Sequence, residues 1–228
     1  MHIYIIEIRR WFKVNRFREP VSGFTHLFGV IISIIGLIVL INYERNIKYS
    51  SSLACVAVII FGISLILLYT ASSVYHLIKA PDKVIKFLRR IDHSMIYVLI
   101  AGTYTPVCLI TLQGKLRWIM FSLIWILALS GVLFKIFWFK SPRWLSTLLY
   151  IFMGWIAVFI ISPLAKSMDI RGIELMFIGG VLYTLGAVIY ATKWPRIKSK
   201  VFGFHEIFHL FVLAGSFCHY FMVLKYIL

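Results

Sequence analysis

The chain has 228 residues, of which 61% are hydrophobic and 14% charged, and its mean hydropathy is +0.93. A soluble domain carries roughly 45–50% apolar and about 25% charged residues, so a soluble domain, a disordered chain, a fibrous repeat and a disulfide-stapled secreted module are all excluded. The formal charge of +16 would fit nucleic acid as a partner, but the basic residues fall in short clusters between long apolar runs, which points instead to anionic lipid headgroups and an integral membrane protein.

In chain order, residues 1–20 form a basic arm with five Arg or Lys and no apolar run long enough for a signal-peptide core. The arm reads either as a short helix on the membrane surface or as a solvated segment. Beyond it, residues 21–228 read as a single transmembrane domain. A helix needs ~20 mostly apolar residues to cross a bilayer, and seven such runs follow: about 21–42, 53–78, 92–112, 118–138, 144–165, 173–192 and 205–227. The fourth and fifth are divided only by the charged turn from Lys140 to Arg143. Pro106 and Pro163 are expected to kink their spans, and Trp118, Trp138, Trp144 and Trp194 fall near span ends as an interfacial belt. Cys55, Cys108 and Cys218 lie inside apolar runs without CxxC spacing and read as small buried residues.

The basic residues are unevenly shared between the two sets of span ends. Seventeen of the 24 lie within 9–18, 79–90, 135–143 and 193–200, all on one side. The excess predicts a cytoplasmic N-terminus and, after seven spans, an extracellular C-terminus.

Ionisable groups inside membrane spans are costly and mark function. His26 opens the first span, Ser72 and His76 close the second, Asp92 and His93 open the third, and His205, Glu206 and His209 open the seventh. All fall at the predicted cytoplasmic end. His205 and His209 are four apart on one helix face, as are Ser72 and His76. Two histidines from one helix and a third from another make a three-ligand site of the kind that holds catalytic zinc, with a position left for water. Asp92, one helix away, is placed to hold that water or orient a ligand. The HxxxH spacing alone equally fits hydrogen bonds to neighbouring helices. Glu206 completes an HExxH string, yet points about 100° from the shared histidine face, so a surface ion pair with Lys200 accounts for it equally well. His93 faces about 100° from Asp92 and reads as a packing or interfacial residue. His219 lies about 15 Å beyond His209 along the helix, too far for the same ligand shell but able to line a cavity. His2 lies in the arm and has no expected role.

Taken together, Glu19-Pro-Val-Ser-Gly-Phe-Thr-His26, Ser72-Ser-Val-Tyr-His76, Arg90-Ile-Asp92-His93, Ala101-Gly-Thr-Tyr-Thr-Pro106 and His205-Glu-Ile-Phe-His209 resemble the hemolysin III family, the bacterial branch of the progestin and adipoQ receptor superfamily. The match runs in order from about residue 18 to the C-terminus, with Ser22 where the first motif more often has Asn. The resemblance implies an all-α, ceramidase-like bundle of seven transmembrane helices in the cell membrane. It also implies Zn2+ held by His76, His205 and His209, with Ser72 and Asp92 supporting hydrolysis of a lipid amide or ester, and a link to membrane lipid homeostasis or cytolysis.

The expected function is therefore a zinc-dependent intramembrane hydrolase with a membrane lipid as substrate. Asp92 would serve as general base and Ser72 as oxyanion donor. A non-catalytic zinc-containing sensor or receptor-like protein is the alternative, with a membrane lipid as ligand. A pore-forming cytolysin is a third reading, against which the spans show no long polar face. No nucleic-acid partner is expected.

Overall fold

The computed structural model describes residues 17–46, 51–138, 141–197 and 202–228, and every regular element among them is helical. Within a bilayer each backbone N–H and C=O has to be paired internally, and the helix does this within a single segment. The elements are α1 (Pro20–Asn46), α2 (Ser52–Leu77), α3 (Asp82–Pro106) continued by a π-helical turn (Val107–Thr111), and α4 (Gly114–Phe137). They are followed by α5 (Arg143–Trp155), a 3-10 turn (Ile156–Ile160) and α6 (Ile161–Ala165), then α7 (Ile170–Thr192), and α8 (Phe204–Met222) with a terminal π-turn (Val223–Ile227). Seven of the resulting helical stretches are long and apolar enough to cross a membrane, the fifth being built from α5, the 3-10 turn and α6.

Local chemistry sets the ends. Pro20 occupies the first turn of α1, where its missing N–H costs nothing. The Ser51 hydroxyl accepts from the Ala54 N–H at 3.1 Å to cap α2. Asp169 caps α7 by accepting from the Arg171 N–H at 2.8 Å. Lys193 closes α7 with a left-handed φ of 55°.

The start of the third span differs most from expectation. α3 begins at Asp82 rather than near 92, because its first turns carry Lys83, Lys86, Arg89 and Arg90 and so fall below a hydropathy threshold while remaining helical. The end of the arm is also anchored: the Arg18 and Glu19 N–H groups donate to the Leu77 and His76 carbonyls at 3.3 and 2.9 Å. Residues 1–16 and Lys140 lie outside the described residues.

Apolar side chains cover the outside of the bundle, and its interior combines an apolar core with buried polar residues. Phe28, Ile31, Ile35 and Ile38 line the outer face of α1, each more than half exposed. Ser22, His26, Ser33 and Glu44 of the same helix face inward. α1 packs chiefly on α2, α2 on α3, and α7 on α8, while α1 meets α8 to close the ring. The third span is the central one, 72% buried over its apolar window. Close approach there depends on Gly102, where any Cβ would collide with the Ser64 side chain.

Pro106 adjoins a departure from α-helix and a second departure precedes Pro163, with separate causes. Pro106 has no N–H for the Gly102 carbonyl, and the chain after it relaxes into the π-turn. In the fifth span the break lies upstream of Pro163. The Tyr104 hydroxyl donates to the Gly154 carbonyl and accepts from the Ala157 N–H, both at 2.7 Å. A side chain from α3 thus enters the backbone ladder of the fifth span.

Candidate metal centre

His76 stands in the last turn of α2, and His205 and His209 in the first turns of α8. The packing of α1 between these ends brings all three to one point. His76 and His209 are each 1% exposed, and one ligand nitrogen from each of the three histidines lies within 4.8 Å of the other two. Nε2 of His205 and Nε2 of His76 are 3.1 Å apart. Two nitrogens bound to one tetrahedral metal ion at ~2.0–2.1 Å are about 3.3 Å apart, so the arrangement fits a shared ion.

The ring nitrogens facing away from this point are already used. Nδ1 of His76 pairs with the Glu19 carboxylate, and Nδ1 of His209 donates to the Ser22 carbonyl at 3.2 Å. In a neutral imidazole this leaves the lone pair on Nε2, and a carboxylate or carbonyl behind a histidine is the usual support for a metal ligand. The hydrogen bond with His76 holds the Glu19 carboxyl below the usual carboxylate range; partial burial opposes this, while the charge of Arg18 adds to it. A three-histidine set with these supports could hold a metal ion.

Asp92 and Ser72 are brought close to the triad but stand outside the ligand group. Both line a cavity of about 170 Å³ that His205 and His209 also face. Its walls are otherwise mainly apolar, and it runs from the histidines to His219 and Met222. Val158, Ile161 and Phe177 line it while also being exposed on the outside, so the cavity reaches the flank of the bundle between the fifth and sixth spans.

His93, read as a packing or interfacial residue, contacts both Asp92 and α7. Its Nδ1 faces Asp92 Oδ2 at 3.2 Å and its Nε2 faces the Tyr190 hydroxyl at 2.9 Å. Glu206 is not in the ligand group, and Lys200, its expected ion-pair partner, lies outside the described residues. Glu206 accepts from the Ser22 hydroxyl at 2.5 Å and from the Gly203 N–H at 2.8 Å, fastening α8 to α1. His26 stacks on His209 with ring centroids 3.7 Å apart. Both its ring nitrogens are buried without a hydrogen-bond partner among the described residues. His219 lines the far end of the cavity, stacked on Tyr183 at 5.3 Å and tight against Gly179.

Two further ionisable side chains are buried within spans that the sequence reading did not single out, Glu44 at 1% and Lys135 at 3% exposure. Lys135 counts as a loop charge by its position near a span end, yet its side chain turns inward.

A family model described as Haemolysin-III related matches residues 14–220. The Hemolysin-3 of Bacillus cereus is 43% identical over 210 residues, covering 92% of each chain. The Hemolysin-3 homolog of Bacillus subtilis (strain 168) is 42% identical over 208 residues, covering 91% of this chain and 93% of the relative. The Monocyte to macrophage differentiation factor of Homo sapiens is 23% identical over 224 residues, covering 95% and 87%.

Proposed function

The chain belongs to the hemolysin III family, the bacterial branch of the progestin and adipoQ receptor superfamily, and from that premise we propose that this multi-pass membrane protein is a zinc-dependent hydrolase of a lipid amide or ester. The observation that carries the reading is the convergence of His76, His205 and His209 at one end of an apolar cavity that also holds Asp92 and Ser72.

An all-imidazole ligand set favours zinc over harder divalent ions. When bound, zinc supplies a Lewis acid that polarises an acyl carbonyl and lowers the pKa of water towards ~7. Glu19 and the Ser22 carbonyl keep the His76 and His209 rings turned for ligation. Asp92 takes a proton from the attacking water and returns it to the leaving amine or alcohol. His93, held by Tyr190, fixes the Asp92 carboxylate through its own ring nitrogen. Ser72 donates a hydrogen bond to the oxygen that gains charge as the carbonyl is attacked. The acyl chain enters from the flank beside Val158 and Phe177 and lies along the apolar wall. The excess of basic residues at the ends bearing the histidines supports a site on the cytoplasmic side.

Zinc content and hydrolysis of ceramides and other acyl lipids by purified protein test this. Wild type carries near-stoichiometric zinc, His209→Ala loses both metal and turnover, and Asp92→Asn keeps metal and loses turnover. Full turnover in Asp92→Asn removes the general base, and a folded wild type that takes up no zinc removes the mechanism.

A second reading has its own support. Glu19 and Ser22 lie at the start of α1, His76 on α2 and His209 on α8, so a metal ion here would tie three spans together as a structural element of a membrane sensor. Under that reading, metal removal lowers thermal stability while no lipid is turned over by the pure protein.

A further inference from the structure

The cavity beside the histidine triad carries imidazoles at both ends, with a mainly apolar wall between them. His205 and His209 stand at the near end with Asp92 and Ser72, and His219 stands at the far end. Leu68, Ile96, Leu99 and Val212 line the stretch between. His219 is 6% exposed, and its Nδ1 is buried with no hydrogen-bond partner among the described residues. The Tyr183 ring stacks on it at 5.3 Å, but the Tyr183 hydroxyl pairs with Ser216 Oγ at 2.8 Å. Room for the imidazole comes from Gly179, where a Cβ would stand 2.7 Å from its Nε2. An unpaired polar side chain inside a span is costly, and such residues mark function.

We propose that the far end of the cavity is a subsite for a hydroxyl carried on the lipid's acyl chain, so that the protein selects hydroxylated over plain acyl groups. The inference rests on the reading of this cavity as an acyl-chain site, but on neither the metal nor hydrolysis. A neutral imidazole offers one N–H donor and one acceptor nitrogen, and a hydroxyl can meet either, whereas a methyl terminus meets neither. A few polar groups set in an apolar wall are what fix orientation and specificity in a ligand cavity. His209 and His219 both lie on α8, separated by about 15 Å of helix rise. An extended chain advances ~1.3 Å per carbon–carbon bond of ~1.52 Å, so a twelve-carbon chain reaches from the triad to His219. An amphiphile with a single polar group, such as a sterol, serves one end of the cavity and leaves the other unpaired.

The test measures binding of dodecanoic acid and ω-hydroxydodecanoic acid to the delipidated full-length protein in neutral detergent, by titration calorimetry. Neither acid has a scissile acyl bond, so turnover does not enter. The affinity ratio of the hydroxylated to the plain acid is expected to be about 3–10-fold larger in wild type than in His219→Phe. Unequal partition of the two acids into micelles cancels in that comparison. His219→Gln keeps a donor and an acceptor and restores part of the ratio, and dodecanoic acid still bound by His219→Phe shows that the variant is folded. A second comparison needs no variant: octanoic and ω-hydroxyoctanoic acids are too short to span the cavity, so in wild type their ratio falls below that of the longer pair by a similar factor. The same ratio for both chain lengths in wild type, or for wild type and a folded His219→Phe, overturns the proposal while dodecanoic acid still binds and the acyl-chain reading stands. Binding of neither long acid to wild type overturns both.

Discussion

A histidine can ligate a metal only through a nitrogen whose lone pair is free, and the group behind the ring decides which nitrogen that is. Glu19 behind His76 and the Ser22 carbonyl behind His209 make that choice here. Replacing Glu19 by Gln keeps the size and weakens the acceptor, so zinc affinity is expected to fall about 10–100-fold, as read by competition with a chelator. The three candidate ligands are legible in the sequence, since ionisable residues in spans are scarce and the i, i+4 spacing fixes a face. Their supports are less so: a backbone carbonyl has no sequence signature, and Glu19 lies outside the apolar run. His93 packs on α7 as its position suggests, and it also reaches Asp92. Its angle on the helix wheel separates it from Asp92, but a long imidazole side chain bends back to its neighbour once Tyr190 of α7 takes the other nitrogen.

Among the helices, the fifth span shows how one side chain can set backbone geometry. The Tyr104 hydroxyl serves both a carbonyl and an N–H at the break. Tyr104→Phe strands both groups, and the expected loss is about 1–3 kcal/mol, measured as a lower thermal midpoint in detergent. The Gly102 contact predicts a second effect of similar size from the opposite cause. Gly102→Ala forces a Cβ into Ser64 and is expected to destabilise by about 1–3 kcal/mol through overpacking. In the double variant with Ser64→Ala the clash is reduced, and part of that loss returns. Hydropathy and proline positions located these irregular stretches to within a turn or two. The tyrosine that shapes one of them belongs to a different helix, and no local pattern along the fifth span reveals it.

At the scale of the molecule, the centre joins the start of α1, the end of α2 and the start of α8, near the seam that closes the ring. A ligand that binds only the folded state stabilises it by about 4 kcal/mol at a thousand times its Kd. Stripping zinc with a chelator is therefore expected to lower the thermal midpoint of wild type, and to leave His209→Ala unchanged because it has no metal to lose. A wild-type midpoint indifferent to zinc and chelator alike would argue against a metal at this seam. The number of spans and the end of the bundle that holds the histidines follow from composition and spacing, because lipid imposes one solution on every segment. The inward turn of Lys135 does not, since a basic residue near a span end can snorkel outwards or fold inwards, and only its neighbours decide.

The flank by which the cavity reaches the outside, beside Val158, Ile161 and Phe177, faces hydrocarbon. A molecule arriving there diffuses in two dimensions, and its supply is measured as a mole fraction of the surrounding amphiphile, with bulk molarity having little meaning. Added detergent is then a diluent: with total lipid and protein held constant, occupancy of the cavity falls as micelles multiply, and it recovers when the same lipid is confined in a nanodisc.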